Sequence, residues 1–266
     1  MKPTMYSKNY PPNQLLDEFF EKLRSAPHRY LLVDYDGTLA PFNIDLNKAF
    51  PYLGVRERLD AIMDDPRNHV VIISGRWTRD LLPLLALRRQ PELWGSYGWE
   101  QIKPDGEYSI ERFDEAALQA LAEVDNWSEA ITERGGRCEQ KPGCLAVHWR
   151  GLAQKQKQAL QRYIEERWQE QSPHPGLGWH EFDGGIELRI FGRTKGSVIE
   201  RILGEMPEDA IAAFLGDDIS DEDAFHALHG HGLTVIVRSC YRETSAEVWL
   251  RPPGGLLAFL DRWLQA

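Results

Sequence analysis

Cysteine is scarce in this chain: Cys138, Cys144 and Cys240 are the only three, too few and odd in number for a disulfide framework. Cys138 and Cys144 also lack the CxxC spacing of a zinc site. Free thiols in a reducing compartment are the expectation. Positive charge is short as well. Against 41 Asp and Glu there are 31 Lys and Arg, a net charge of −10. Non-specific nucleic-acid binding needs a basic face that displaces phosphate counterions, so nucleic acid is set aside as a partner. A small anionic substrate remains compatible, because nearby residues and metals set the field inside a cleft. Residues 1–14 contain no apolar stretch of signal-peptide type. No uninterrupted apolar run approaches the roughly 18 residues that span a bilayer. A soluble cytoplasmic protein with no membrane partner is expected. Internal repeats and low-complexity tracts are missing too.

What is present is an ordinary globular composition. The chain has 266 residues, 42% of them hydrophobic, 27% charged, and nine tryptophans for a core. Residues 1–13 are polar and Pro-rich and read as a loosely held arm. Residues 14–25 carry apolar positions at helical spacing. Buried parallel strands are expected at 30–33 and 69–73, each a short apolar run cut off by a polar turn. Helices are expected at 55–63 and from the Ser74-Gly75-Arg76 turn through 85. The last third repeats this strand–turn–helix grammar, with strands at 211–215 and 233–237 and helices at 195–203, 221–228 and 256–264. Repeated in this way, it predicts a doubly wound α/β sheet. The middle reads differently. Helices over 112–134 and 151–170 flank strands at 137–140 and 144–150, and a hairpin pairs 180–183 with 186–190 across Gly184-Gly185. A small α+β module is therefore expected inside a discontinuous core.

Four polar clusters fall at the C-terminal ends of expected core strands or at a helix start, where open α/β sheets bind ligands. They are Asp34-Tyr35-Asp36-Gly37-Thr38, Ser74-Gly75-Arg76, Lys195-Gly196, and Gly216-Asp217-Asp218 with Asp221. Taken singly each has a bland reading: a turn, a helix cap, a surface lysine, a solvated helix start. Jointly they demand more. Carboxylates converging from two strand ends need a hard divalent cation, and oxygen ligands favour Mg²⁺. A hydroxyl and an ammonium beside that cation suit an anion. Together they describe phosphoryl transfer through an aspartyl-phosphate.

In order, these clusters resemble the four signatures of the haloacid-dehalogenase-like (HAD) phosphatases. The likeness narrows to the trehalose-6-phosphate phosphatase family through Asp34–Pro41, Gly216–Phe225, Val147-His148-Trp149-Arg150 and Glu187-Leu188-Arg189. The resemblance implies a HAD-like Rossmannoid parallel-sheet core over 1–104 and 191–266. It implies an inserted α+β cap of the C2B type over 105–190. Asp34 would be the nucleophile, and Asp36 would protonate the leaving oxygen and then activate water. Thr38, Ser74, Gly75 and Lys195 would hold the phosphate. Asp34, Asp36 through its carbonyl, and Asp217 would ligate Mg²⁺, with Asp218 or Asp221 in support. Glu100, Lys141, His148, Arg150 and Glu187 would contact the sugar hydroxyls. The implied substrate is trehalose 6-phosphate, with a trehalose-6-phosphate synthase as pathway partner.

Two departures from the family pattern bear on the sugar. Tyr97 stands where a His is usual in a G-x-H-G turn, and no Pro follows Glu187-Leu188-Arg189. Phosphatases for glucosylglycerol phosphate or sucrose phosphate therefore stay open. A phosphomutase on the same core, and a non-catalytic regulatory domain that binds a sugar phosphate, are the competing readings. Degenerate copies of the second kind usually lose Asp34, Asp36, Lys195 or Asp217, all of which are present.

Overall fold

The computed structural model describes residues 14–170, 175–182 and 184–266, and the backbone alone of Tyr6 and Ser7. The rest of the expected arm over 1–13, and Asp183 of the expected hairpin, lie outside the described residues. The chain divides into two compact units, Met1–Ser109 with Thr194–Ala266, and Ile110–Arg193.

The first unit is built on a mixed, mostly parallel sheet. Its strand order is Tyr6–Ser7, Val248–Leu250, Leu233–Val237, Ile211–Gly216, Arg29–Val33, Asn68–Ile73, Glu92–Gly95, Glu100–Ile102 and Tyr108–Ile110. The six strands from Val248–Leu250 to Glu92–Gly95 run parallel. Both faces of the central strands are apolar, and this explains their near-continuous hydrophobic sequences. Leu31, Val33, Ala213 and Leu215 pack on one side with Leu16, Leu59, Phe259 and Trp263. Leu32, Ala212 and Phe214 pack on the other with Val198, Ile199 and Phe225. Each large side chain so buried contributes about 1.5–3 kcal/mol.

The order also places the site. From Arg29–Val33 the chain moves one way to Asn68–Ile73, and it returns much later to Ile211–Gly216 on the opposite side of the same strand. The loops after these neighbours diverge at that reversal and leave a crevice at the strand ends.

The second unit holds a four-stranded antiparallel sheet, in the order Arg137–Lys141, Cys144–His148, Gly185–Ile190 and Leu177–Phe182. One face, with Leu145, Val147, Ile186 and Leu188, packs on Val124, Ile131, Leu160 and Ile164 from the helices. The single helix expected over 112–134 is broken into Glu115–Asp125 and Ser128–Glu133. The Ser128 hydroxyl donates to the Asp125 carboxylate at 2.8 Å across the break, a local bond that competes with a continuous helix.

Candidate active site

Parallel pairing brings the first carboxylates together. Val33 lies opposite Leu215 and Ile72 in register, and the Asp34 N–H donates to the Leu215 carbonyl at 2.8 Å. Asp34 and Asp217 therefore leave adjacent strand ends. The turn after Asp34 is closed by backbone bonds from Leu39 and Ala40 to the Tyr35 carbonyl. Gly37 stands in it at φ +85°, and a Cβ there would lie 2.1 Å from Asp217 Oδ2. Only glycine meets both the left-handed conformation and that close approach.

Lys195 opens the helix Lys195–Glu205, whose N-terminus is held by a Thr194–Ser197 capping box. An ammonium there opposes the helix dipole. Two carboxylates offset that cost: Lys195 Nζ lies 2.7 Å from Asp34 Oδ1 and 2.6 Å from Asp221 Oδ1. Burial alone would lower the lysine pKa, but Asp221 and Asp34 outweigh it and raise it above the ordinary value. Asp34 is pushed up to about 7, chiefly by burial, with Lys195 pulling the other way and Asp221 and Asp36 adding repulsion. Burial, then Asp34, Asp221 and Asp218, hold Asp217 well above the usual carboxylate range.

Asp34, Asp217 and Asp221 each offer an oxygen within 4.8 Å of the others. The Asp34 Oδ2 and Thr38 Oγ1 atoms are buried without a hydrogen-bond partner, which costs free energy unless something else satisfies them. An orphaned carboxylate oxygen, an all-oxygen donor set and surplus buried negative charge suit a hard divalent cation. Asp221 is more committed than its neighbours. Its Oδ2 accepts from the Asp217 and Asp218 N–H groups at 2.9 and 3.0 Å, and Lys195 takes its Oδ1. Asp218 caps the following turn by accepting from Ile219 N at 2.8 Å.

Ser74 is buried at the end of Asn68–Ile73, and its hydroxyl oxygen accepts from the Arg76 N–H at 3.1 Å. It does not cap the next helix, which begins at Thr78 after Trp77. A Cβ on Gly75 would lie 2.5 Å from the Tyr97 ring. Ser96 and Tyr97 hold φ values of +50° and +60°, an outlying conformation for a bulky side chain. Two backbone bonds tie this turn to the loop at Ser74, from Tyr97 N to Ser74 O and from Ser96 N to Arg76 O. Glu100, fully buried, anchors the turn. It accepts from Thr78 N, Thr78 Oγ1, Ser96 Oγ and Tyr108 OH at 2.9–3.2 Å, which fills the lone-pair sites of a carboxylate.

A sequence model described as trehalose-phosphatase matches residues 32–251. The chain belongs to the trehalose-phosphatase family. Among curated relatives, it is 30% identical over 216 residues to a trehalose-phosphatase of Schizosaccharomyces pombe, covering 77% of this chain and 26% of the relative. It is 26% identical over 259 residues to a trehalose-phosphate phosphatase of Mycobacterium ulcerans, covering 90% and 62%. The chain thus spans less than two thirds of these relatives. Among solved structures, the C-terminal domain of the Candida albicans trehalose-6-phosphate phosphatase superposes with a TM-score of 0.82 at 22% identity, covering 100% of this chain and 99% of that one. The Aspergillus fumigatus trehalose-6-phosphate phosphatase gives 0.66 at 26% identity, covering 94% and 97%. HAD-like hydrolases such as one from Bacillus subtilis share the fold, at 0.60 and 12% identity over 87% and 98%.

In this trehalose-phosphatase family member, the remaining candidate residues lie in the second unit. Antiparallel register puts Glu139, Lys141, His148 and Glu187 on the sheet face opposite the helices. Lys141 Nζ lies 2.6 Å from Glu187 Oε1, with both side chains buried. His148 Nε2 lies 2.7 Å from Glu139 Oε2. Burial works against the Lys141 ammonium, but Glu187 leads the groups that hold its pKa above the usual value. Arg150 follows the Cys144–His148 strand and lies beside Gly184, where a Cβ would be 2.8 Å from its Nε. Among the described residues no helix is long and apolar enough to cross a membrane.

Sequence reasoning passed over three arginines. Arg76 grips Asp36, while Arg238 and Arg242 donate to the Asp217 carbonyl and Arg242 also to that of Asp218, at 2.6 Å. Arg76 carries a local signal, since it closes the Ser74-Gly75-Arg76 cluster. Arg238 and Arg242 had no local signal, because only the fold brings them to the loop.

Proposed function

We propose that this chain is an Mg²⁺-dependent phosphoric monoester hydrolase that converts trehalose 6-phosphate to trehalose and phosphate. The observation that carries this reading is the state of Asp34. One of its oxygens is held by Lys195, and the other is buried without a partner beside Asp217. A nucleophile so placed is oriented and only half satisfied.

Asp34, Asp217 and the Asp36 carbonyl would hold the cation, which when bound neutralises charge on the phosphoryl group. Thr38, Ser74, the Gly75 backbone and Lys195 bind the phosphoryl oxygens. Asp34 attacks phosphorus in line while the ester P–O bond breaks, and Asp36 gives a proton to the departing sugar oxygen. Asp36 then takes a proton from water attacking the phosphorylated Asp34, and phosphate leaves. Monoester hydrolysis is among the slowest uncatalysed reactions, so pre-placed charge must supply most of the acceleration. Lys141, His148, Arg150 and Glu187 read the sugar, since charged groups and an imidazole match hydroxyls that both donate and accept. Glu100, with its lone pairs filled, holds the turn under Gly75. The second unit then acts as the cap.

A regulatory reading has a motive in the fold, which is shared with the C-terminal domain of the Candida albicans trehalose synthase regulatory protein at a TM-score of 0.64 and 14% identity. The intact set of Asp34, Asp36, Lys195 and Asp217 favours turnover. Phosphate release across a panel of sugar phosphates, with Mg²⁺ and with chelator, separates the readings. Steep preference for trehalose 6-phosphate and loss in chelator are expected. Faster release from sucrose phosphate or glucosylglycerol phosphate would reassign the substrate, and no release from any ester would leave a binding domain.

A further inference from the structure

We infer that Arg76 is a positioning residue for Asp36. It sets the direction from which Asp36 reaches the leaving oxygen, without itself serving the phosphoryl group. The inference rests on the reading of Asp36 as proton donor.

Asp36 is the least enclosed of the candidate catalytic carboxylates, with its side chain about a quarter exposed. Left alone, such a side chain samples several rotamers. The Arg76 guanidinium removes that freedom by a fork: its Nε donates to Asp36 Oδ2, and its Nη2 donates to Oδ1 at 2.6 Å. Paired N–H groups of this kind fix the plane of a carboxylate as well as its position. The fork is itself immobilised. Arg76 is buried, its Nη1 donates to the Leu46 carbonyl at 2.8 Å, and its guanidinium carbon lies 5.5 Å from the centre of the Tyr35 ring. Tyr35 is fully buried and anchored by its hydroxyl to the Ala49 carbonyl at 2.7 Å.

The connection runs further. The Arg76 N–H donates to Ser74 Oγ, and the Arg76 carbonyl accepts from Ser96 N in the left-handed turn. The loop that presents the Ser74 hydroxyl therefore also aims the proton donor, so the two are held in fixed relation. In the step the donor serves, the Asp34–phosphorus bond forms as the ester P–O bond breaks, the Asp36 O–H bond breaks, and the new O–H bond forms on the sugar oxygen.

Leaving-group dependence tests this. A sugar alkoxide needs the proton; p-nitrophenolate departs without it. The value of kcat/KM reports only steps through that departure, so it isolates the donor. For Asp36→Asn, kcat/KM on trehalose 6-phosphate should fall at least about 100-fold, in line with general-acid contributions. It should fall much less on p-nitrophenyl phosphate. Arg76→Met should show the same split at smaller size, and Arg76→Lys should recover part of it, because lysine restores charge but no fork. A purely structural role for Arg76 would depress both esters together, and that result, or no loss on either, overturns the inference. If Asp36→Asn itself fails to separate the two esters, the donor reading falls first and takes this inference with it.

Discussion

Lys195 and Lys141 are both buried ammonium groups that touch a carboxylate within 2.7 Å, yet their surroundings differ in charge balance. In the second unit each of these carboxylates has a close partner: Glu187 has Lys141 at 2.6 Å and Arg189 at 3.8 Å, and Glu139 meets the His148 ring at 2.7 Å. In the first unit Lys195 meets Asp34 and Asp221 at once, and a third buried carboxylate, Asp217, lies beside them. Arg238 reaches the Asp217 carboxylate only at 3.8 Å. A balanced buried pair adds little net stability, because desolvation offsets attraction. A surplus of buried negative charge is different. It is tolerated where a cation or a proton completes it, and the raised pKa of Asp34, about 7, reports that unmet demand. The first arrangement suits chemistry on an anion through a metal; the second suits a shaped polar face.

The sharpest way to break this comparison is Asp34→Asn. Turnover should fall about 10⁴-fold or more, as for loss of a nucleophile elsewhere. The melting temperature should change little, since the variant keeps its shape and relieves crowding. Steady-state phosphate release together with thermal melting checks both halves, and full activity would sink the proposed function. Next in size is Lys141→Met, which removes the nearer cation from buried Glu187, leaving Arg189 at 3.8 Å, and should cost about 3 kcal/mol in denaturant unfolding, the low end for breaking a buried pair. The double variant Lys141→Met with Glu187→Met should recover most of that loss. The matching pair Lys195→Met with Asp221→Met should not, because Asp34 and Asp217 stay uncompensated. Equal recovery at both sites would erase the distinction. Smallest is the effect of the cation itself. At 100 times its dissociation constant, Mg²⁺ should stabilise the wild type by about 2.7 kcal/mol. In Asp217→Asn the gain at the same concentration should nearly vanish. An equal gain in both proteins, read by calorimetry, would place the cation elsewhere.

Much of this was legible in the chain because the core strands are short apolar runs ended by carboxylates. Tyr30-Leu31-Leu32-Val33 before Asp34 needs no partner to be read as a buried strand, and Ile211 to Gly216 before Asp217 repeats the pattern. Less legible were Glu92–Gly95, Glu100–Ile102, Tyr108–Ile110 and Val248–Leu250. Each has three or four residues, too few to establish alternation. The break at Asn126-Trp127 was hidden because apolar spacing continues across it, while Ser128 diverts a hydrogen bond to Asp125. At the site, spacing identified the acidic residues, but not which of their oxygens are spoken for. That Asp221 has its oxygens taken while Asp34 keeps one unmet, and that Arg76 forks Asp36, are facts of tertiary geometry that no local pattern carries.

The late return of the chain to the middle of its own sheet has a consequence for synthesis. Lys195 meets Asp34 across 161 residues of sequence, and Ile211–Gly216 must arrive before Arg29–Val33 has neighbours on both sides. At about 5–20 residues per second, a nascent chain spends many seconds with that apolar strand edge open. The second unit, whose sheet contains two hairpins, is complete before then and can fold locally while the ribosome works on. A chain arrested before residue 211 would lack Asp217 and Asp221 altogether. The acidic centre is thus assembled only after the whole second unit has been made.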